Sequence, residues 1–346
     1  MLFPPTIIRN VFGAELAPNW LVVGSIAALA LVQTAAVFVG SYIDATWILP
    51  GVGKGLLEHY GVWAILIADP LLLIAAGFAY RQFCIAMETL PFVEREGTGD
   101  LKSIVRPYFD FIELKGRSVF IYYLLAIVGL LAWVLNLLQT IQPFATYGND
   151  VFDALAYPWG YVGNKFNLFV SWVVVAPAVG FMLVSMSFST WLILRRVENL
   201  DALGPSVLHP DGCYGFEHLG TLNVALLWPY LISFGVMFAL KLTHEGTYPS
   251  LVVPVIVLAV VCIVVSIVTI QPITSHTKKI RRKTFNSLVE KSHTQEKSTN
   301  AERLRFAVER LSFSMTSASP YSKNLSALLN VMRFSPAVLT MVRLLS

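Results

Sequence analysis

Six stretches of this chain run for about twenty residues almost without charge, and nothing else about the sequence limits its fold so tightly. They are Trp20–Ile43, Gly61–Tyr80, Ser118–Leu138, Leu168–Leu194, Leu222–Leu240 and Leu251–Gln271. A bilayer core of ~30 Å needs about 20 helical residues at ~1.5 Å each, so each stretch has the length of a membrane-spanning helix. The composition agrees, since only 13% of residues are charged where a soluble domain carries about 25%. The first stretch begins too late for a cleaved leader and lacks its basic and small-residue flanks. The expected fold is all-α: a polytopic membrane bundle of about six transmembrane helices over residues 1–271, then a helical, basic cytoplasmic tail over 272–346.

The distribution of positive charge orients the bundle. Segments 1–19, 81–117, 195–221 and 272–346 hold 22 of the 25 Lys and Arg residues, and only Lys54, Lys165 and Lys241 fall on the opposite side. Lys and Arg accumulate in cytoplasmic loops, which predicts both termini in the cytoplasm and an even number of spans. The outer connection 139–167 is rich in aromatics, among them Tyr147, Phe152 and Trp159, and reads as an interfacial belt. Cytoplasmic loop 81–117 balances six basic against six acidic residues and predicts short amphipathic helices such as Leu101–Leu114, broken near Pro107. The three cysteines form no CxxC and no evident disulfide pair.

Three places are candidates for chemistry. Asp69-Pro70 lies in the middle of the second span, where a charged carboxylate costs about 2.5–3.5 kcal/mol on insertion scales and proline predicts a kink or break. Asp69 reads either as an ion- or proton-handling group beside unwound backbone, or as a helix cap or protonated core residue. Its expected partners are Gln33 or Asn136, which makes Asp69, Pro70 and Asn136 the pore or gating candidates. The second place is the loop before the fifth span: Arg195, Arg196, His209, Asp211, Gly212 and Gly215. Pro210-Asp211-Gly212 is a tight-turn sequence, and the group reads as a structural turn or as a ligand or gating contact. His209, Asp211, Cys213 and His218 are possible zinc ligands by type, but no zinc spacing joins them, so no metal is expected.

The third place is the tail, with net charge +9 over 75 residues. Lys278, Lys279, Arg281, Arg282 and Lys283 follow the sixth span directly and read as a stop-transfer cluster against lipid phosphates. Together with Arg303, Arg305 and Arg310 they alternatively form an anionic ligand site for a nucleotide or oligonucleotide. Thr299 and Glu302 make a capping box, and the helix it opens carries a stripe of Leu304, Val308, Leu311 and Met315 at coiled-coil-like spacing. That stripe is expected to dock on the bundle or on a second copy of the chain.

Three stretches resemble a bacterial family of polytopic membrane proteins. His59-Tyr60-Gly61 with Ile65–Ala75 is similar to its second span. His209-Pro210-Asp211-Gly212-Cys213-Tyr214-Gly215 is similar to its His-Pro-Asp-x-x-Gly-Gly turn, and His276 with Lys279 to its histidine and basic helix. Tyr214 replaces the first glycine of that pair, and Asp69 stands where an apolar residue is expected. The resemblance covers roughly residues 55–280 and implies a fold, because the family has no assigned activity.

The sequence lacks a Walker A loop, HExxH, GxSxG, GxGxxG and the kinase motifs; no span carries an arginine ladder, and no cofactor is implied. The leading expectation is an oligomeric channel or pore-type effector, gated from the cytoplasm by an anionic ligand or a cytoplasmic protein. By layout alone it resembles membrane effectors of bacterial anti-phage defence. The alternatives are a membrane receptor or scaffold whose tail recruits a partner, and a membrane-embedded enzyme using His209, Asp211 and Glu217.

Overall fold

A computed structural model of the chain describes residues 9–11, 18–45, 47, 56–57, 60–94, 100–147, 161–204, 213–243, 271–294, 306–308 and 311. These residues form helices: α1 (Trp20–Ile43), α2 (Tyr60–Glu88), α3 (Leu101–Ile112), α4 (Ser118–Tyr147), α5 (Tyr161–Phe169), a π-helical turn (Val170–Val175), α6 (Ala176–Asn199), α7 (Glu217–Thr243) and α8 (Gln271–Thr294). Helix suits such apolar segments because every backbone group is satisfied within the segment. Among the described residues, five helices are long and apolar enough to cross a membrane: α1, residues Gly61–Glu88 of α2, Ser118–Ile141 of α4, the continuous rod Val162–Asn199, and Glu217–Val236 of α7. The chain is thus an all-helical, membrane-embedded protein. The sixth expected span lies outside the described residues, apart from Gln271 at the start of α8.

Packing is most extensive between α2 and α7, and α1 lies along α5. The rod formed by α5, the π turn and α6 touches α1, α2, α3, α4, α7 and α8 along its length. One apolar core gathers Phe83, Met87, Phe181, Met186, Ile193 and Leu226 with their neighbours. A smaller one unites Val37, Leu56, Val62 and Leu66, and Trp63 Nε1 donates to the Leu56 carbonyl at 3.2 Å. Outward faces remain apolar: Leu21 and Leu31 of α1, and Phe120, Leu131 and Leu138 of α4, are exposed. Such faces are at home against lipid tails or a neighbouring apolar surface.

The helix break expected at each of two prolines is corrected. α2 runs unbroken through Pro70, and α3 runs unbroken through Pro107. Each proline removes one helical hydrogen bond; α2 packs extensively on α7, and α3 buries Ile104, Val105 and Ile112 while Pro107 is exposed. Asp69 is therefore not the cap of a helix beginning at Pro70. Lys165 is corrected as well: it belongs to the fourth span and is buried, not placed in an outer loop.

The segments expected on one side of the membrane do meet. An antiparallel bridge pairs Phe92 with Leu203, with Val93 N–H donating to the Ala202 carbonyl (2.8 Å) and Gly204 N–H to Pro91 (3.0 Å). Any side chain at Gly204 would collide with Val93. At the same end, α3 begins on an Asp100 cap that accepts from Lys102 N–H at 3.2 Å. Past α3, Glu113 accepts from Lys115 Nζ (2.8 Å), faces Arg9 (3.6 Å) and takes the Tyr80 hydroxyl (3.2 Å). Glu113, and then Asp110, hold the Lys115 ammonium above its ordinary pKa.

Candidate functional site

The buried polar groups converge on the π turn. Pro177 has no N–H to return to the Val173 carbonyl and would crowd it in an α register. The chain widens one turn earlier instead, and Ala176 N–H reaches back five residues to the Ser171 carbonyl. π turns of this kind recur at functional positions. Here the turn carries Ser171 beside Asp69: Ser171 Oγ donates to Asp69 Oδ2 at 2.6 Å. The same oxygen accepts from Gln33 Nε2 at 2.8 Å, and Gln33 also donates to Asn167 Oδ1 at 2.5 Å. Helices α1, α2 and the α5–π rod thus each contribute to one knot, in which Asp69 is 6% exposed and Gln33 1%.

Asn164, Asn167 and Ser171 lie three and seven residues apart, the spacing of one helical face. That face meets α1 and α2. Gly163 lets it approach closely, since a Cβ there would lie 3.0 Å from the Val37 Cα. Both side-chain polar atoms of Asn164, and Nδ2 of Asn167, are buried with no hydrogen-bond partner among the described residues. An unpartnered buried amide group costs about 1–3 kcal/mol, so this face holds polarity that its described neighbours do not use.

Asn136 joins a separate pair, not the Asp69 knot. Its Oδ1 accepts from Lys165 Nζ at 2.5 Å, while Trp133 Nε1 donates to the Lys165 carbonyl at 2.8 Å. α4 can come this close because Gly129 has no Cβ, which would strike the Trp172 carbonyl. Of the expected partners of Asp69, Gln33 is present and Asn136 is turned elsewhere. Ser171, Asn164 and Asn167 were not anticipated, although the polar spacing in an apolar run was there to be read.

The loop before α7 is described only in part, because His209, Asp211 and Gly212 lie outside the described residues. Gly215 and Tyr214 sit in a turn, with φ +90° and +63°, closed by Phe216 N–H to the Cys213 carbonyl at 3.1 Å. Two consecutive positive φ values mark a type I′ turn. Arg195 and Arg196 are exposed at the end of α6, and the Arg195 guanidinium stands 5.2 Å from the Trp191 ring centre. Lys278, Lys279, Arg282 and Lys283 are exposed on α8 and Arg281 is half-buried; Thr277 and Leu288 face inward. Of the tail stripe, Val308 and Leu311 are exposed, whereas Leu304, Met315, Arg303, Arg305 and Arg310 lie outside the described residues.

Comparison with protein-family models, curated proteins and solved structures yields no match to this chain. Its class therefore rests on the fold and site: an all-helical membrane protein with a carboxylate-centred polar knot inside its bundle.

Proposed function

We propose that this protein moves an ion across the membrane, as a channel or pore-type effector gated from its basic end, with the Asp69 knot as the polar station inside each subunit. One observation carries the reading: three separate membrane-length helical segments place Gln33, Asp69 and Ser171 around a single buried carboxylate oxygen. A carboxylate in a span is costly and is kept where it handles charge. An apolar cluster holds Val37, four residues past Gln33, together with Val62 and with Leu66, three residues before Asp69. Such an arrangement is a closed state, and conduction requires those side chains to part.

A mechanical route for gating supports the same reading. α8 packs on α6, which is continuous with the π turn that carries Ser171. An anionic ligand or cytoplasmic partner drawn to Lys278, Lys279, Arg282 and Lys283 bears on the rod that holds the knot. Biasing a two-state element in this way is how a remote site controls a gate. Assembly of several copies, through the apolar outer faces of α1 and α4, and a role in bacterial anti-phage defence belong to this proposal.

The test is ion flux in liposomes holding the full-length protein, with and without an anionic headgroup or nucleotide presented on the basic side. Flux that disappears in Asp69→Asn supports the proposal. Wild-type liposomes that pass neither protons nor alkali cations under any of these conditions overturn it. The exposed basic helix would then favour the receptor reading, in which the bundle is an anchor.

A further inference from the structure

The Asn164–Asn167–Ser171 face and the Asp69 knot contain more oxygen ligands than hydrogen bonds use. We propose that they form a binding site for one dehydrated sodium ion, a deepening that rests on the ion-translocation reading above. Asn164 is 1% exposed and Asn167 0%, and neither amide of that face is fully satisfied. The Asn164 oxygen is unused and can turn toward an ion, whereas Asn167 Oδ1 already accepts from Gln33 Nε2 and would have to share that bond with the ion. Pro70 has no N–H to give the Leu66 carbonyl, so a backbone oxygen one turn before Asp69 is also without its helical partner. Both hydrogen bonds to Asp69 fall on Oδ2, leaving Oδ1 free of partners among the described residues.

The chemistry selects the ion. Hard cations take oxygen ligands, and calcium sites bring several carboxylates; this site has one carboxylate among neutral oxygens, which matches a single positive charge. Zinc, copper, iron and nickel favour imidazole or thiolate ligands, and no three His, Cys, Asp or Glu side chains gather among the described residues. Magnesium keeps much of its hydration and does not suit a site this buried. The unpartnered Asn164 Oδ1 distinguishes sodium from a proton: a proton on Asp69 leaves that oxygen unused, whereas an ion coordinated by it does not, and Nδ2 stays unpaired in either case.

The test measures thermal unfolding of the purified full-length protein in detergent, in sodium, potassium or choline chloride at fixed ionic strength, at pH 6, 7 and 8. Sodium is expected to raise Tm in a saturable manner that choline does not reproduce, and binding of radioactive sodium should saturate over the same range. Asn164→Ala should need at least tenfold more sodium for the same rise, and Asp69→Asn should lose the response. If the alanine variant does not fold, Asn164→Asp keeps an oxygen in place and should retain sodium binding while gaining a response to calcium. Equal Tm in sodium and choline at every pH overturns the site, as does an unchanged sodium response in both Asn164 variants. A Tm that follows pH but not sodium also overturns it, and leaves the ion-translocation reading standing with the proton as the ion. Intact sodium binding without flux has the opposite meaning: the site stands and translocation fails.

Discussion

Tyr214 keeps a left-handed backbone (φ +63°) while its ring is fully buried. A non-glycine residue there costs about 1–2 kcal/mol, and glycine is the residue such a position prefers. The buried ring more than offsets that strain, since losing a large aromatic costs about 3–5 kcal/mol. Tyr214→Gly should therefore destabilise the protein by about 1–4 kcal/mol, read by denaturant titration, despite relieving the backbone. Ser171 gives a second test at this scale. A hydrogen bond to a carboxylate contributes about 1.5–3 kcal/mol, and Ser171→Ala should lower stability by about that amount in the same assay. Ser171→Thr keeps the hydroxyl and should recover most of it.

The helical elements were largely legible, because a membrane-length apolar run leaves helix as its only fold. The first span has the same limits in sequence and structure, Trp20–Ile43. Prolines were harder to read: α2 and α3 continue through Pro70 and Pro107, whereas Pro177 marks a real irregularity displaced toward the N-terminus. The polar spacing from Asn164 to Ser171 was visible but straddled the assumed start of the fourth span, which hid it. Pro177→Ala restores a donor for the Val173 carbonyl and removes the reason for the π turn. The rod should then revert to α register and move Ser171 away from Asp69, detected as a shift in the Asp69 carboxyl infrared band. Gly129→Ala should cost about 1–3 kcal/mol in thermal unfolding, because the added methyl meets a backbone carbonyl that cannot rotate away.

Across the whole molecule, the charged end and the buried knot are joined by one rod. Lys278, Lys279, Arg282 and Lys283 lie exposed on α8, and a basic residue near an anionic leaflet contributes about 1 kcal/mol. Replacing all four with glutamine should remove any difference in flux between anionic and neutral vesicles, while leaving the sodium dependence of Tm in place. The two responses belong to opposite ends of the rod, and only the first needs α8. The bridge between Phe92 and Leu203 ties the segment after α2 to the segment after α6. Sequence could supply the charge, but not the contact of α8 with α6, which depends on packing between residues far apart in the chain.

The separation of Asp69 from its partners also sets an order of events during synthesis. Gln33 precedes Asp69 by 36 residues, but Ser171 follows it by 102. At ~5–20 residues per second, the carboxylate waits on the order of 5–20 s with Gln33 as its only knot partner yet made. During that interval α1 is the chaperone of α2. Gln33→Leu should thus reduce the yield of inserted protein in a cell-free translation with membranes, and Ser171→Ala should not, although both remove a bond to the same oxygen.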